Sequence, residues 1–137
     1  MNLVVDTSII VAVIANEPEK LSLIAQTQGA VLFAPRSIHF EIGNAFSAML
    51  KRGRISIKQA HAAVAVYEKI SINFLEVDLA RALKLSDELS IYAYDAYIIA
   101  CALYQNCPLL TLDSGLEHAA KVAGVEVLEV QNDADLP

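Results

Sequence analysis

Four carboxylates carry the chemistry that this sequence can offer: Asp6, Glu41, Asp95 and Asp113. Asp6 closes the apolar run Leu3-Val4-Val5, and Asp113 closes Leu109-Leu110-Thr111-Leu112. Runs this short read as buried strands, and an acid at the end of one is costly to desolvate without a partner. Glu41 and Asp95 are expected in the first turns of helices, each with apolar neighbours (Phe40 and Ile42; Ala96 and Tyr97). Each acid taken singly has a structural explanation, because a carboxylate in a first turn is favoured by the helix dipole and Asp113 can serve as an N-cap. Two patterns argue for more. Ser114 with Glu117 reads as a capping box, which frees Asp113, and Ser37 reads as the cap of the Glu41 helix, which frees Glu41. Two carboxylates about 5 Å apart repel by roughly 3 kcal/mol at an effective dielectric near 20. If the four meet, cations or protons must sit among them. An all-carboxylate set suits Mg²⁺ or Mn²⁺, and such ions serve phosphoryl chemistry by activating water and stabilising the oxygens that attack and leave.

The elements that must position these acids alternate along the chain. Strands are expected at Leu3–Val5, Ala30–Ala34, Ile72–Val77, Leu109–Leu112 and Val125–Val130. Helices are expected over Ile9–Ala15 and from an Asn16 cap to about Gln28, with Gly29 as the stop. Further helices run from Ser37 to about Lys51, from a Ser56–Gln59 capping box to about Ile70, from Asp78 to about Leu89, over Tyr94–Gln105, and from Ser114 to Gly124. The tail Gln131–Pro137 reads as frayed. Alternation of this kind implies an α/β fold with a mostly parallel sheet and helices on both faces. In such sheets, ligands bind outside the carboxyl ends of the strands, where Asp6 and Asp113 are delivered. Asp78 also follows a strand, but nothing else caps its helix, so it is expected to be structural.

At 137 residues the chain fits one domain with a sizeable core. It is 55% hydrophobic, yet no apolar run approaches the roughly 18 residues of a spanning helix. The surplus is expected to cover a homodimer interface. No signal-peptide pattern precedes the first strand, so the cytoplasm is the expected location. Cys101 and Cys107 read as packing thiols. The net charge of −6 argues against non-specific nucleic-acid binding, an objection that weakens if metal neutralises several acids.

Asp6-Thr7-Ser8, Glu41 with Asn44, Asp95 within YDAYIIACAL, and Asp113 within LLTLDSGLEHAA resemble the PIN domain, in particular the VapC-type ribonuclease toxins of type II toxin–antitoxin pairs. The resemblance covers essentially the whole chain, 1–137, as a single domain. It implies a three-layer α/β/α fold with a five-stranded parallel sheet in the order 3-2-1-4-5. That order sets Asp6 beside Asp113 and leaves Asp78 outside. It further implies that Asp6, Glu41, Asp95 and Asp113 are the catalytic, metal-binding set for Mg²⁺- or Mn²⁺-dependent hydrolysis of RNA phosphodiesters. Thr7 and Ser8 would supply hydroxyls beside them. Asn44, one turn after Glu41, and Thr111, on the strand face of Asp113, are supporting candidates. A small antitoxin, inhibiting through an arginine placed among the acids, is the implied partner.

Arg36, Lys51, Arg52 and Arg54 are candidates for RNA contact, with Lys58 in the same basic cluster; a solvated turn at a helix C-terminus explains the cluster equally well. Tyr92, Tyr94 and Tyr97 surround Asp95 and have the rings to stack bases, although packing is their ordinary use. His39, His61 and His118 read as structural. Two other functions stay open: another metal-dependent phosphohydrolase, and a catalytically silent binding module. Neither a P-loop nor a GxGxxG turn is present, which disfavours the nucleotide-binding classes.

Overall fold

The computed structural model of the chain describes residues 1–131, so all but the first residue of the expected frayed tail lies outside the described residues. The order is β1 (Asn2–Val5), α1 (Thr7–Ile14), α2 (Lys20–Thr27), β2 (Val31–Pro35), α3 (Ser37–Lys51), α4 (Ile57–Lys69), β3 (Ile72–Leu75), α5 (Leu79–Leu89), α6 (Ala93–Gln105), β4 (Leu109–Leu110) and α7 (Ser114–Val122). The strands are parallel and ordered β3-β2-β1-β4. β1 is central, pairing Leu3 with Leu32 on one side and Val4 with Leu109 on the other. Leu3, Val4, Val5, Leu109 and Leu110 are fully buried, as the near-continuous apolar runs of a sheet covered on both faces require.

The sheet has four strands where five were expected. The segment expected as the fifth makes a single parallel bridge, Val127 to Leu109. Leu109 spends both backbone groups on it: its N–H donates to the Glu126 carbonyl at 2.9 Å, and its carbonyl accepts from Leu128 N–H at 2.9 Å. β4 is only two residues long, so no longer ladder can form on it. The segment nevertheless lies on the side of β4 that the order 3-2-1-4-5 requires.

Several local signals act as expected. Ser56 and Gln59 form a reciprocal capping box at α4, Asp78 caps α5 through Ala80 N–H at 3.2 Å, and Gly29 and Gly124 take left-handed φ values just past α2 and α7. Others do not. Asn16 does not cap α2; it takes a positive φ of 56° and accepts a hydrogen bond from Lys20 Nζ at 2.6 Å. The N-cap of α2 is Glu19, without a side-chain cap bond. Burial pushes the Cys101 thiol up to about 12, with the nearby Cys107 adding to the shift, in keeping with a packing thiol.

Candidate active site

The carboxyl ends of β1 and β4 lie side by side, and each hands the chain to a helix through an aspartate. Asp6 is the N-cap of α1, and its Oδ1 accepts from Ile9 N–H at 3.3 Å. Asp113 is the N-cap of α7, and its Oδ1 accepts from Gly115 N–H at 2.9 Å and Leu116 N–H at 3.2 Å. Ser114 is therefore the first residue of α7 and not its cap. The capping-box reading that freed Asp113 fails because the longer Asp side chain, one residue earlier, already takes the orphan N–H groups of the helix start. The Ser37 reading fails likewise. Arg36 occupies the N-cap of α3 without a side-chain bond, and Ser37 Oγ is buried with no partner. Glu41 is thus the fifth residue of α3, one residue deeper than expected and past the first turn, whereas Asp95 does fall in the first turn of α6.

A hydroxyl network ties the two strand ends together. Asp6 is 6% exposed. Ser8 Oγ donates to its Oδ1 at 2.6 Å, and Thr111 Oγ1 donates to its Oδ2 at 2.7 Å. Thr111 Oγ1 then accepts from Asp113 N–H at 3.0 Å, and Ser8 Oγ accepts from Leu112 N–H at 3.0 Å. One carboxylate, two hydroxyls and two backbone N–H groups therefore fix the end of β4 against the start of α1. The Leu112 contact has no local sequence signal, since its partner is 104 positions away; only the strand order brings the two together.

The acids feel one another. Burial raises the Asp6 carboxyl above its ordinary range against the lowering pull of Ser8, Thr111 and Ile9 N–H, and the charge of Asp113 adds to the rise. Glu41 is raised by burial, and by Asp6 and Asp95. Asp95 is raised by burial, and by Asp113. These couplings close a ring: Asp6 to Asp113, Asp113 to Asp95, Asp95 to Glu41, Glu41 to Asp6. Asp78 takes no part in it. The Thr7 hydroxyl is close enough to favour the charged form of Glu41, but its geometry falls short of a hydrogen bond. Glu41 Oε2 and Thr7 Oγ1 are both buried without a partner. Buried polar atoms are ordinarily paired, so two orphaned oxygens at this ring mark a place fitted to a donor or a cation. Among the described residues, no three acids lie close enough together to grip one ion.

The other candidates divide by place. Asn44 is exposed one turn beyond Glu41. Arg36 sits at the start of α3, its guanidinium 5.4 Å from the Phe74 ring centroid. Lys51, Arg52 and Arg54 are exposed at the far end of α3, about 15 Å or more along the helix from Glu41 at 1.5 Å per residue. Tyr94 and Tyr97 form an edge-to-face pair 6.0 Å apart. His39 contacts the Tyr67 hydroxyl at 3.1 Å, a structural use.

Comparison with known proteins agrees with this architecture. A structure of PAE2754 from Pyrobaculum aerophilum superposes with a TM-score of 0.72 at 22% identity, covering 95% of this chain and 92% of that one. VapBC2 from Rickettsia felis, bound to a DNA fragment from its promoter, superposes at 0.64 and 14% identity, covering 93% and 98%. At these identities the likeness establishes the fold. No curated protein is significantly similar in sequence. The PIN-domain pattern itself matches residues 3–122, a span that holds all four acids and every strand that presents them, and the chain belongs to the PIN-domain family.

Proposed function

We propose that this protein is a divalent-metal-dependent endoribonuclease, the toxin of a VapC-type toxin–antitoxin pair, with Asp6, Glu41, Asp95 and Asp113 as the residues that hold Mg²⁺ or Mn²⁺. The observation that carries the proposal is the electrostatic coupling of the four carboxylates, which raises Asp6, Glu41 and Asp95, together with a buried Glu41 oxygen that has no hydrogen-bond partner. A purely structural cluster would pair its oxygens or disperse its charges. The donor set is all oxygen, which suits a hard cation.

When bound, such an ion lowers the pKa of a water and stabilises the oxyanions of phosphodiester hydrolysis. The chain's own residues do the positioning. Ser8 and Thr111 each hold one oxygen of Asp6 and fix the rotation of its carboxylate. Gly115 and Leu116 N–H groups fix Asp113 through Oδ1 alone, so its other oxygen is available. Glu41 and Asp95 come from two separate helices and complete the ring. Supporting hydrogen bonds of this sort are worth about 10- to 100-fold in metal affinity.

The sequence resemblance and the fold shared with VapBC2 support an antitoxin partner. Four carboxylates make a pocket of negative potential that a partner's arginine can enter bidentately, competing with the cation. Exposed apolar residues such as Leu83 on α5 and Tyr104 on α6 support a homodimer, which light scattering at tens of micromolar would register as twice the chain mass. A cytoplasmic location belongs to the same reading; among the described residues no helix is long and apolar enough to cross a membrane. The deciding experiment is incubation of total RNA with the purified chain, with and without Mg²⁺ or Mn²⁺, and mapping of the cut ends. Metal-dependent cuts at defined sites are expected. Absence of cleavage under every divalent ion would overturn the proposal.

A further inference from the structure

A cavity opens on the same edge of the sheet as the acids, and the proposed chemistry leaves it unused. It has a volume of about 190 Å³ and is walled by Pro35, Leu75, Val77, Leu79 and Tyr97, with Arg36, Ser37 and Glu76 as its polar groups. Pro35 and Leu75 are the last residues of β2 and β3, so the cavity lies at the strand ends where Asp6 also stands. Helix α3 joins it to the acids: Ser37 precedes Glu41 by four residues, on the same helix face and about 6 Å along the axis. Tyr97 follows Asp95 by two residues on α6 and so leaves that helix in a different direction.

The chemistry of the walls is selective. Four apolar side chains and one aromatic ring suit a flat, weakly hydrated group. The Tyr97 ring is braced edge-to-face by Tyr94, and the Arg36 guanidinium is stacked over Phe74. Ser37 Oγ has no hydrogen-bond partner, and among the described residues Glu76 is in neither ion pair. A bare phosphate is a poor occupant, because Glu76 would repel it and the apolar walls would leave its oxygens unsatisfied. A nucleobase fits better. At about 190 Å³ the space is large enough for one ring system. A carboxylate accepts from the N–H edge of a base, and guanine offers two adjacent donors on its Watson–Crick edge.

We infer that this cavity seats one unpaired base of the RNA strand, guanine in preference to uracil, and so sets which phosphodiester reaches the acids. Tyr97 and the apolar wall take the faces of the base, Glu76 takes its N–H edge, and Arg36 at the rim meets the adjoining phosphate. The inference rests on the nuclease reading, but it is tested by binding, which needs no turnover.

The test is NMR titration of the metal-free full chain with guanosine, GMP, UMP and inorganic phosphate, following the Val77 and Leu79 methyls and the Tyr97 ring. Guanosine and GMP should shift these signals, GMP should bind more tightly than UMP, and phosphate alone should leave them in place. Glu76 is exposed, so Glu76→Ala should fold normally and lose about tenfold in GMP affinity, the size of one charge-assisted contact. It should also raise KM for guanine-containing RNA with kcat held within about twofold. The inference is overturned if guanosine leaves these signals unmoved, if phosphate alone reproduces the shifts, or if Glu76→Ala binds GMP as the wild type does. Cleavage without nucleotide binding here would remove the base seat and leave the nuclease standing. Nucleotide binding without cleavage under any divalent ion would do the reverse.

Discussion

Asp6 and Asp78 have the same local job. Each follows a parallel strand, takes extended backbone angles, and caps a helix by accepting from a backbone N–H. Their surroundings differ in every other respect. Asp6 is buried, receives two further hydroxyl bonds, and is pushed up by burial and by Asp113. Asp78 is exposed and keeps only the bond from Ala80. Capping therefore does not distinguish Asp78 from the acid proposed to hold the cation. The distinction comes from strand order. The end of β1 abuts β4, which brings Thr111 and Asp113, whereas the end of β3 lies at the sheet edge away from both.

The sharpest way to break this contrast is to remove each charge while keeping each cap. Asn caps helices about as well as Asp, so Asp→Asn isolates the charge. Asp6→Asn should cut RNA cleavage by at least about 100-fold, a loss in the range that metal-ligand and transition-state contacts carry. Asp78→Asn should cleave as the wild type does. Equal activity in the two variants, measured as initial rates on one RNA, would erase the distinction.

Thr111→Val tests how far the comparison depends on support for the carboxylate. It leaves Asp6 Oδ2 and the Asp113 N–H without their shared partner, at about 1–3 kcal/mol of stability. Metal affinity should fall about 10- to 100-fold. Chemical denaturation and a metal titration read the two losses separately. By contrast, Asp78→Ala should cost about 1 kcal/mol through its lost cap and leave metal affinity unchanged.

The smallest effect is a pH dependence. Asp6, Glu41 and Asp95 have folded pKa values above their ordinary 3.8, 4.5 and 3.8. An acid raised in the folded state binds more protons folded than unfolded across the interval between its two pKa values. Stability from these groups is thus fully present below about 3.8–4.5 and is lost as pH rises through the raised values. The metal-free protein should gain melting temperature on acidification from neutrality through that window. Asp95→Asn should flatten the gain and melt no lower than wild type at neutral pH. A melting temperature for the metal-free wild type that rises with pH across this window, or a pH profile unaltered by Asp95→Asn, would contradict the crowding of the acids.

Much of this was legible in the sequence because periodicity and caps are local. The strand ends at Asp6 and Asp113, the Ser56–Gln59 box, the Asp78 cap and the Gly29 and Gly124 stops each follow from a few adjacent residues. The acids and the hydroxyls of Ser8 and Thr111 were nameable for the same reason. Local signals mislead where two of them compete. Ser114 lost the cap of α7 to Asp113, and Ser37 lost the cap of α3 because the chain enters that helix one residue earlier, at Arg36. The fifth strand shrank to one bridge because its partner, β4, is two residues long, which depends on pairing and not on its own composition. The distance of Lys51, Arg52 and Arg54 from the acids likewise follows from the length of α3 once its direction in the fold is known.

The most direct test of the central claim, that these four acids form one cation site, is Mn²⁺ binding by titration calorimetry to the wild type, Asp6→Asn, Asp95→Asn and Asp78→Asn. Binding is expected in the wild type and in Asp78→Asn, with affinity lowered at least about tenfold in both of the other variants. Absence of binding to the wild type, or undiminished affinity in Asp6→Asn and Asp95→Asn, would contradict the claim.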